Sequence, residues 1–114
     1  MAYSIEKQGK YTIIRPGIDM LDGSTASDLK AAFIDLNKNN VNQILLDLTG
    51  VKYADSSGLS AILVGHRLCR DTGGTFILFG LKPAVLKIIT IAQLNKVLLI
   101  SESEESALAL HTAS

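Results

Sequence analysis

Apolar positions along the chain switch between a two-residue and a helical period, and the switches mark out the elements. Residues 3–7 and 11–15 are short runs rich in Tyr, Ile and Thr, separated by Gln8-Gly9-Lys10, which predicts a β-hairpin. Pro16-Gly17 ends the second run, and residues 18–24 form a connection of mixed polarity. Ala26, Leu29, Ala32, Phe33 and Leu36 then recur at helical spacing. Ser24, Thr25 and Ser27 are the candidate caps of that helix. Asn37-Lys38-Asn39-Asn40 closes it, since Asn tolerates the left-handed conformation. Residues 43–48 are almost continuously apolar, the mark of a strand buried on both faces. A second helix follows, with Leu59, Ile62, Leu63, His66 and Cys69 on one stripe, running to about Asp71 and stopped by Gly73-Gly74. Thr75 to Phe79 reads as another strand, and Pro83 sits well at the first position of a third helix. Residues 97–100 read as a last strand and 102–111 as a fourth helix, with Glu102, Glu104 and Glu105 near its positive end.

The order β-β-α-β-α-β-α-β-α predicts an α/β fold in which an opening hairpin leads into parallel strands joined by helical crossovers. A length of 114 residues fits a single domain over 1–114, with a core of about 3–111 and frayed residues 112–114. A hydrophobic fraction of 47% supports a packed core. Eleven basic and eleven acidic residues cancel, and no Lys or Arg run occurs, so direct nucleic-acid binding is not expected. The N-terminal residues lack an apolar signal core, and the run Ile88 to Ile100 is too short and too interrupted to span a bilayer. No membrane association is expected, and the expected location is the cytoplasm. A lone Cys69 excludes an intramolecular disulfide.

Candidate chemistry concentrates in Asp55-Ser56-Ser57-Gly58, where the buried strand's loop becomes a helix start. That position offers unpaired amides and the positive end of the helix dipole. A serine there has two uses, as a cap or as a hydroxyl that accepts a phosphate. Two adjacent serines are more than a cap needs, and a phosphate would bring about −1.5 to −2 charges to a largely neutral surface. Catalytic alternatives lack their parts. His66 lies ten residues after Ser56 on the same helix, about 15 Å along its axis, so the two cannot form a dyad. Ala54 replaces the glycine that precedes the serine of a nucleophile elbow, and nothing points to His111 as a base. Gly58 alone, with no Lys after it, makes no phosphate cradle. His66 and Cys69 are spaced i, i+3, but on the apolar stripe and without a second ligand pair they read as core packing. No enzyme activity, metal or cofactor is expected.

The stretch from Ile44 through Asp55-Ser56-Ser57-Gly58-Leu59 resembles the signature of STAS domains, specifically the bacterial anti-sigma factor antagonists. The resemblance continues through Gly73-Gly74 and Lys82-Pro83-Ala84-Val85 to Leu94 and the strand at 97–100. It implies a STAS fold, a single mixed β-sheet with about four helices packed on it. It also implies partner switching. The unphosphorylated antagonist binds an anti-sigma factor that is a serine kinase, and the sigma factor is released. Phosphorylation of the first serine after the aspartate ends that binding, and a serine phosphatase restores it. Carried onto this chain, the acceptor is Ser56, and Asp22, Asp55, Ser56, Ser57 and Gly58 contact or shape the partner site. Two positions depart from the pattern: Gly17 with Asp19 before the first helix, and Gln93, where a small residue or Gly is frequent, before Leu94. Two other readings remain open at this point. One is a non-catalytic STAS subunit of a larger complex, such as a lipid-transport ABC complex or a stress-signalling scaffold. The other is a small hydrolase using Ser56.

Overall fold

The computed structural model describes residues 3–112, with side chains through residue 109. His111's side chain and the end of the stretch read as frayed, residues 113 and 114, lie outside the described residues. The elements are β1 (Tyr3–Gln8), β2 (Tyr11–Pro16), β3 (Met20–Leu21), α1 (Gly23–Lys38), β4 (Gln43–Asp47), β5 (Tyr53–Ala54), α2 (Ser56–Asp71), β6 (Thr75–Phe79), α3 (Pro83–Ile91), a 3₁₀ turn (Leu94–Lys96), β7 (Leu99–Ser101) and α4 (Glu104–Thr112). Five strands form a mixed sheet in the order β1-β2-β4-β6-β7. The β1–β2 hairpin is antiparallel, and every later pairing in the sheet is parallel.

The continuous apolar run of β4 has the cause inferred from sequence. It is the central strand, and Ile44, Leu45 and Leu46 are all buried. Ile44 and Leu46 face a large core with Ile14, Phe76 and Leu78, closed by Leu29 and Phe33 of α1, Ile62 of α2 and Val85 and Ile89 of α3. Leu45 faces the other way, into a smaller core of Tyr11, Ile13, Ile77 and Phe79 covered by Ala107 of α4. Helices thus lie on both faces of the sheet, and a central strand cannot show polar alternation. Each fully buried aliphatic side chain here contributes roughly 1.5–3 kcal/mol of transfer free energy.

Helix ends follow local chemistry. Asn40 closes α1 with φ 63, as its residue type permits. After α2, Gly73 takes φ +76, its amide donates to the Arg70 carbonyl, and the Gly74 amide reaches back to Cys69. Gln93 also adopts a left-handed φ of 62, so the departure noted in sequence falls where glycine would cost least. The last strand lies later than its apolar residues imply. Val97 and Leu98 belong to the turn after the 3₁₀ segment, and only Leu99–Ser101 pairs with β6. Likewise α4 begins after Ser103, whose hydroxyl accepts the Ser106 amide at 3.1 Å, so Glu104 and Glu105 sit in its first turn and Glu102 stands outside it.

Arg15 ties three elements together, reaching Asp47 of β4 at 2.7 Å, Glu104 of α4 at 2.9 Å and Glu6 of β1 at 3.3 Å. Burial pushes the Asp47 carboxyl up, but hydrogen bonds from the Thr49 hydroxyl and amide, together with Arg15, outweigh it and hold the group below its ordinary value. A depressed folded-state value means stability that is present above the unfolded carboxylate value, near about 4, and lost as pH falls through the folded value. We therefore expect the urea midpoint to drop progressively below about pH 4. Asp47→Asn should flatten part of that acid limb, and an unchanged limb would remove Asp47 as its source.

Candidate functional site

Two short strands that the sequence did not reveal build the site. Met20–Leu21 and Tyr53–Ala54 pair in parallel as a separate two-stranded sheet, with Met20 opposite Tyr53 and Leu21 opposite Ala54. The next residue on each chain is an aspartate, and each aspartate caps a helix. Asp22 caps α1 and Asp55 caps α2, both in extended backbone. The two helix starts are thereby set side by side. The Asp55 amide donates to the Leu21 carbonyl at 3.1 Å, and the Lys52 amide to Asp19 at 2.7 Å.

The caps differ from those read in the sequence. At α1, Asp22 Oδ1 accepts the Ser24 amide at 3.0 Å and the Ser24 hydroxyl at 2.7 Å. The Asp22 amide in turn donates to Thr25 Oγ1 at 3.0 Å, completing a capping box. Ser24 and Thr25 therefore assist a cap that Asp22 supplies, and Ser27 lies within the helix. The Ser24 hydroxyl and amide hold the Asp22 carboxyl below its usual value. At α2, Asp55 Oδ1 accepts the Gly58 amide at 3.0 Å. The capping share expected of Ser56 and Ser57 thus falls to Asp55, because a carboxylate one residue earlier reaches the same amide.

That substitution of roles frees the serines. Ser56 and Ser57 are the first two residues of α2, both exposed, and their hydroxyls bond to no described residue. Asp55→Ala should cost about 1 kcal/mol of stability in urea unfolding. Ser56→Ala should change stability by less than about 0.5 kcal/mol. An equal loss from both would return the cap to the serine.

Gly58 is fixed by contact. A Cβ on it would stand 2.3 Å from the Leu21 carbonyl oxygen and 2.8 Å from Leu21 Cγ. Only a bare Cα lets α2 lie this close to the other loop. Asp22, Asp55, Ser56 and Ser57 are therefore brought together over a buried Gly58, although Asp22 and Ser56 are far apart in sequence. Two depressions flank this cluster. One, of about 290 Å³, lies between α1 and α2 and is lined by Ser27, Lys30, Ser56, Ser57 and Ser60 among others. The other, of about 690 Å³, lies beyond Asp22 and includes Asp19, Met20, Thr25 and Gly50. Met20 and Tyr53, register partners in the small sheet, are 45% and 44% exposed. Sequence reasoning missed this apolar pair because a two-residue strand shows no period.

The remaining reactive groups stand apart from this surface. His66 lies on α2 ten residues beyond Ser56. Burial, then Arg70 and Arg67, lower its pKa. Cys69 is buried, and burial alone pushes its thiol up to about 12, far from a thiolate at neutral pH. Among the described residues no three His, Cys, Asp or Glu side chains cluster as metal ligands. No described helix is long and apolar enough to cross a membrane.

An opening hairpin, a mixed five-stranded sheet with helices on both faces, and a hydroxyl-bearing helix start braced by a two-stranded sheet together define the class. The chain belongs to the STAS domain family, whose model matches residues 2–107. A curated relative, the anti-sigma F factor antagonist of Paenibacillus polymyxa, is 29% identical over 73 residues. That match covers 64% of this chain and 62% of the relative, somewhat under two thirds of its length. An anti-sigma-factor antagonist (STAS) domain protein from Planctomyces limnophilus shares the fold at a TM-score of 0.87 and 19% identity, covering 98% of each chain. The phosphorylated form of the Bacillus cell fate determinant SpoIIAA superposes at a TM-score of 0.73 and 22% identity, covering 95% of this chain and 97% of that one.

Proposed function

We propose that this protein is a cytoplasmic anti-sigma factor antagonist that works by partner switching. In its unphosphorylated form it binds an anti-sigma factor that is a serine kinase, and the sigma factor is released. The kinase transfers a phosphoryl group from ATP to the Ser56 hydroxyl, with ADP leaving, and binding is lost. A serine phosphatase hydrolyses the ester and restores the active form.

The observation that carries this reading is the state of Ser56. Its hydroxyl is exposed and unengaged on a helix start whose capping is done by another residue. It can be modified without removing a cap. The two-stranded sheet that leads into this helix start carries Met20 and Tyr53, an exposed apolar pair suited to contact with a protein partner. Asp22 and Ser57 extend the same face. A phosphate of about −1.5 to −2 charges there would impose a desolvation cost on any partner that covers it. A relative with a phosphorylated form supports the reading, as does the curated anti-sigma F factor antagonist.

The test is complex formation with the purified cognate anti-sigma kinase, followed by gel filtration in the presence of ADP. Co-elution of the unmodified chain, and separate elution of the chain phosphorylated at Ser56, is the expected outcome. Co-elution of both forms, or of neither, would refute it.

A further inference from the structure

We propose that Lys30 is the in-chain counter-ion of the phosphoryl group on Ser56, and that the groove between α1 and α2 holds that group against the protein. The inference rests on Ser56 as acceptor and deepens it. It assigns to α1 a residue that governs the modified state.

The groove's lining carries the argument. Lys30 and Ser27 enter it from α1, and Ser56, Ser57 and Ser60 enter it from α2. It therefore offers one cation and four hydroxyls, and no carboxylate lines it. Of the carboxylates adjacent in sequence to this lining, Asp22 is committed to the Ser24 amide and hydroxyl and Asp55 to the Gly58 amide, while Asp28, next to Ser27, is exposed and does not line the groove. Lys30 is half-buried along the groove and forms no ion pair among the described residues. The other described lysines form no ion pair either, and Lys30 is the one that lines this groove. A polar, acid-free cleft with an unused lysine, opening onto a serine, has the composition that receives a phosphate.

The consequence for the switch is a division of labour. Lys30 offsets the charge within the modified chain, so phosphorylation does not strain α2. The partner, which must cover the same face, meets a filled groove and an engaged lysine. Kinase and phosphatase are not needed to test this, because phosphoserine can be installed at position 56 during translation. The result then does not depend on whether a kinase selects Ser56.

The experiment is a phosphorus NMR titration of that protein, beside Lys30→Gln, Lys30→Arg and Lys38→Gln. The second ionisation of phosphoserine lies near about 6 when unperturbed. We expect a lower midpoint in the wild type, a rise of about half a unit in Lys30→Gln, as for loss of one charge across a wet surface, and retention in Lys30→Arg. Lys38→Gln, at the far end of α1, should leave it unchanged. In the wild type itself, the Lys30 side-chain signals should move when the phosphate is present while those of Lys38 hold. Equal midpoints in wild type and Lys30→Gln, or unmoved Lys30 signals, would overturn the assignment. If instead the titration succeeds and the kinase leaves Ser56 untouched, it is the function proposed above that fails, not the role of Lys30.

Discussion

Gly58→Ala is expected to destabilise the protein by about 2 kcal/mol or more, the largest effect of any single methyl group at the site. The helix itself would gain from the change, since alanine is favoured over glycine in a helix interior by about 1 kcal/mol. The contact decides the sign. The added carbon would lie 2.3 Å from a backbone oxygen of Leu21, and a strand carbonyl cannot rotate away as a flexible side chain can. Either α2 or the β3 strand must shift. Because Asp55 donates its amide to that same carbonyl, the shift also separates the Asp22 and Ser56 loops. Gly50→Ala is the control, since its added carbon meets nothing within 4 Å. Urea unfolding should show a clearly lowered midpoint for Gly58→Ala and a change within about 0.5 kcal/mol for Gly50→Ala. A neutral Gly58→Ala would mean that the two loops are not held at this distance.

Ser56→Asp should separate stability from binding. The first turn of α2 contains no acidic residue, and the aspartate would stand at its positive end. The fold should therefore be unharmed or gain up to about 1 kcal/mol. Affinity for the anti-sigma kinase, by contrast, should fall at least tenfold, about 1.4 kcal/mol, because a buried interface would have to desolvate the added charge. Ser56→Ala should bind like the wild type, and calorimetry on the three proteins reads the difference. Equal affinities would show that charge at this position does not govern binding. Parallel losses of stability and affinity would mean that the variant reports damage to α2 instead.

Much of this arrangement was legible in the sequence. The central strand announced itself because burial on both faces leaves no polar position. Asn40, Gly73 and Pro83 marked helix ends because each backbone conformation suits few residue types. The Asp-Ser-Ser-Gly loop was located by the same logic, and its resemblance to STAS signatures supplied the family. Four features were not legible, for physical reasons. The β3–β5 sheet has two residues on each strand, too few to show alternation, yet it juxtaposes Asp22 with Ser56. The capping residue is ambiguous in sequence because Asp, Ser and Thr are comparable caps, and Asp55 directly precedes Ser56 while Asp22 stands only two residues before Ser24. Backbone geometry alone selects the aspartate. Lys30 was invisible because its relation to Ser56 exists only once α1 and α2 pack together. The start of the last strand is hidden because Val97 and Leu98 are apolar but lie in the turn following a 3₁₀ segment rather than in an extended run.

Ser56 is the single acceptor proposed for this chain. The most direct test is intact-mass analysis of the wild type, Ser56→Ala and Ser57→Ala after incubation with the cognate anti-sigma kinase and ATP. One added phosphoryl group is expected on the wild type and on Ser57→Ala, and none on Ser56→Ala. A phosphoryl group on Ser56→Ala, or none on the wild type with an active kinase, would contradict it.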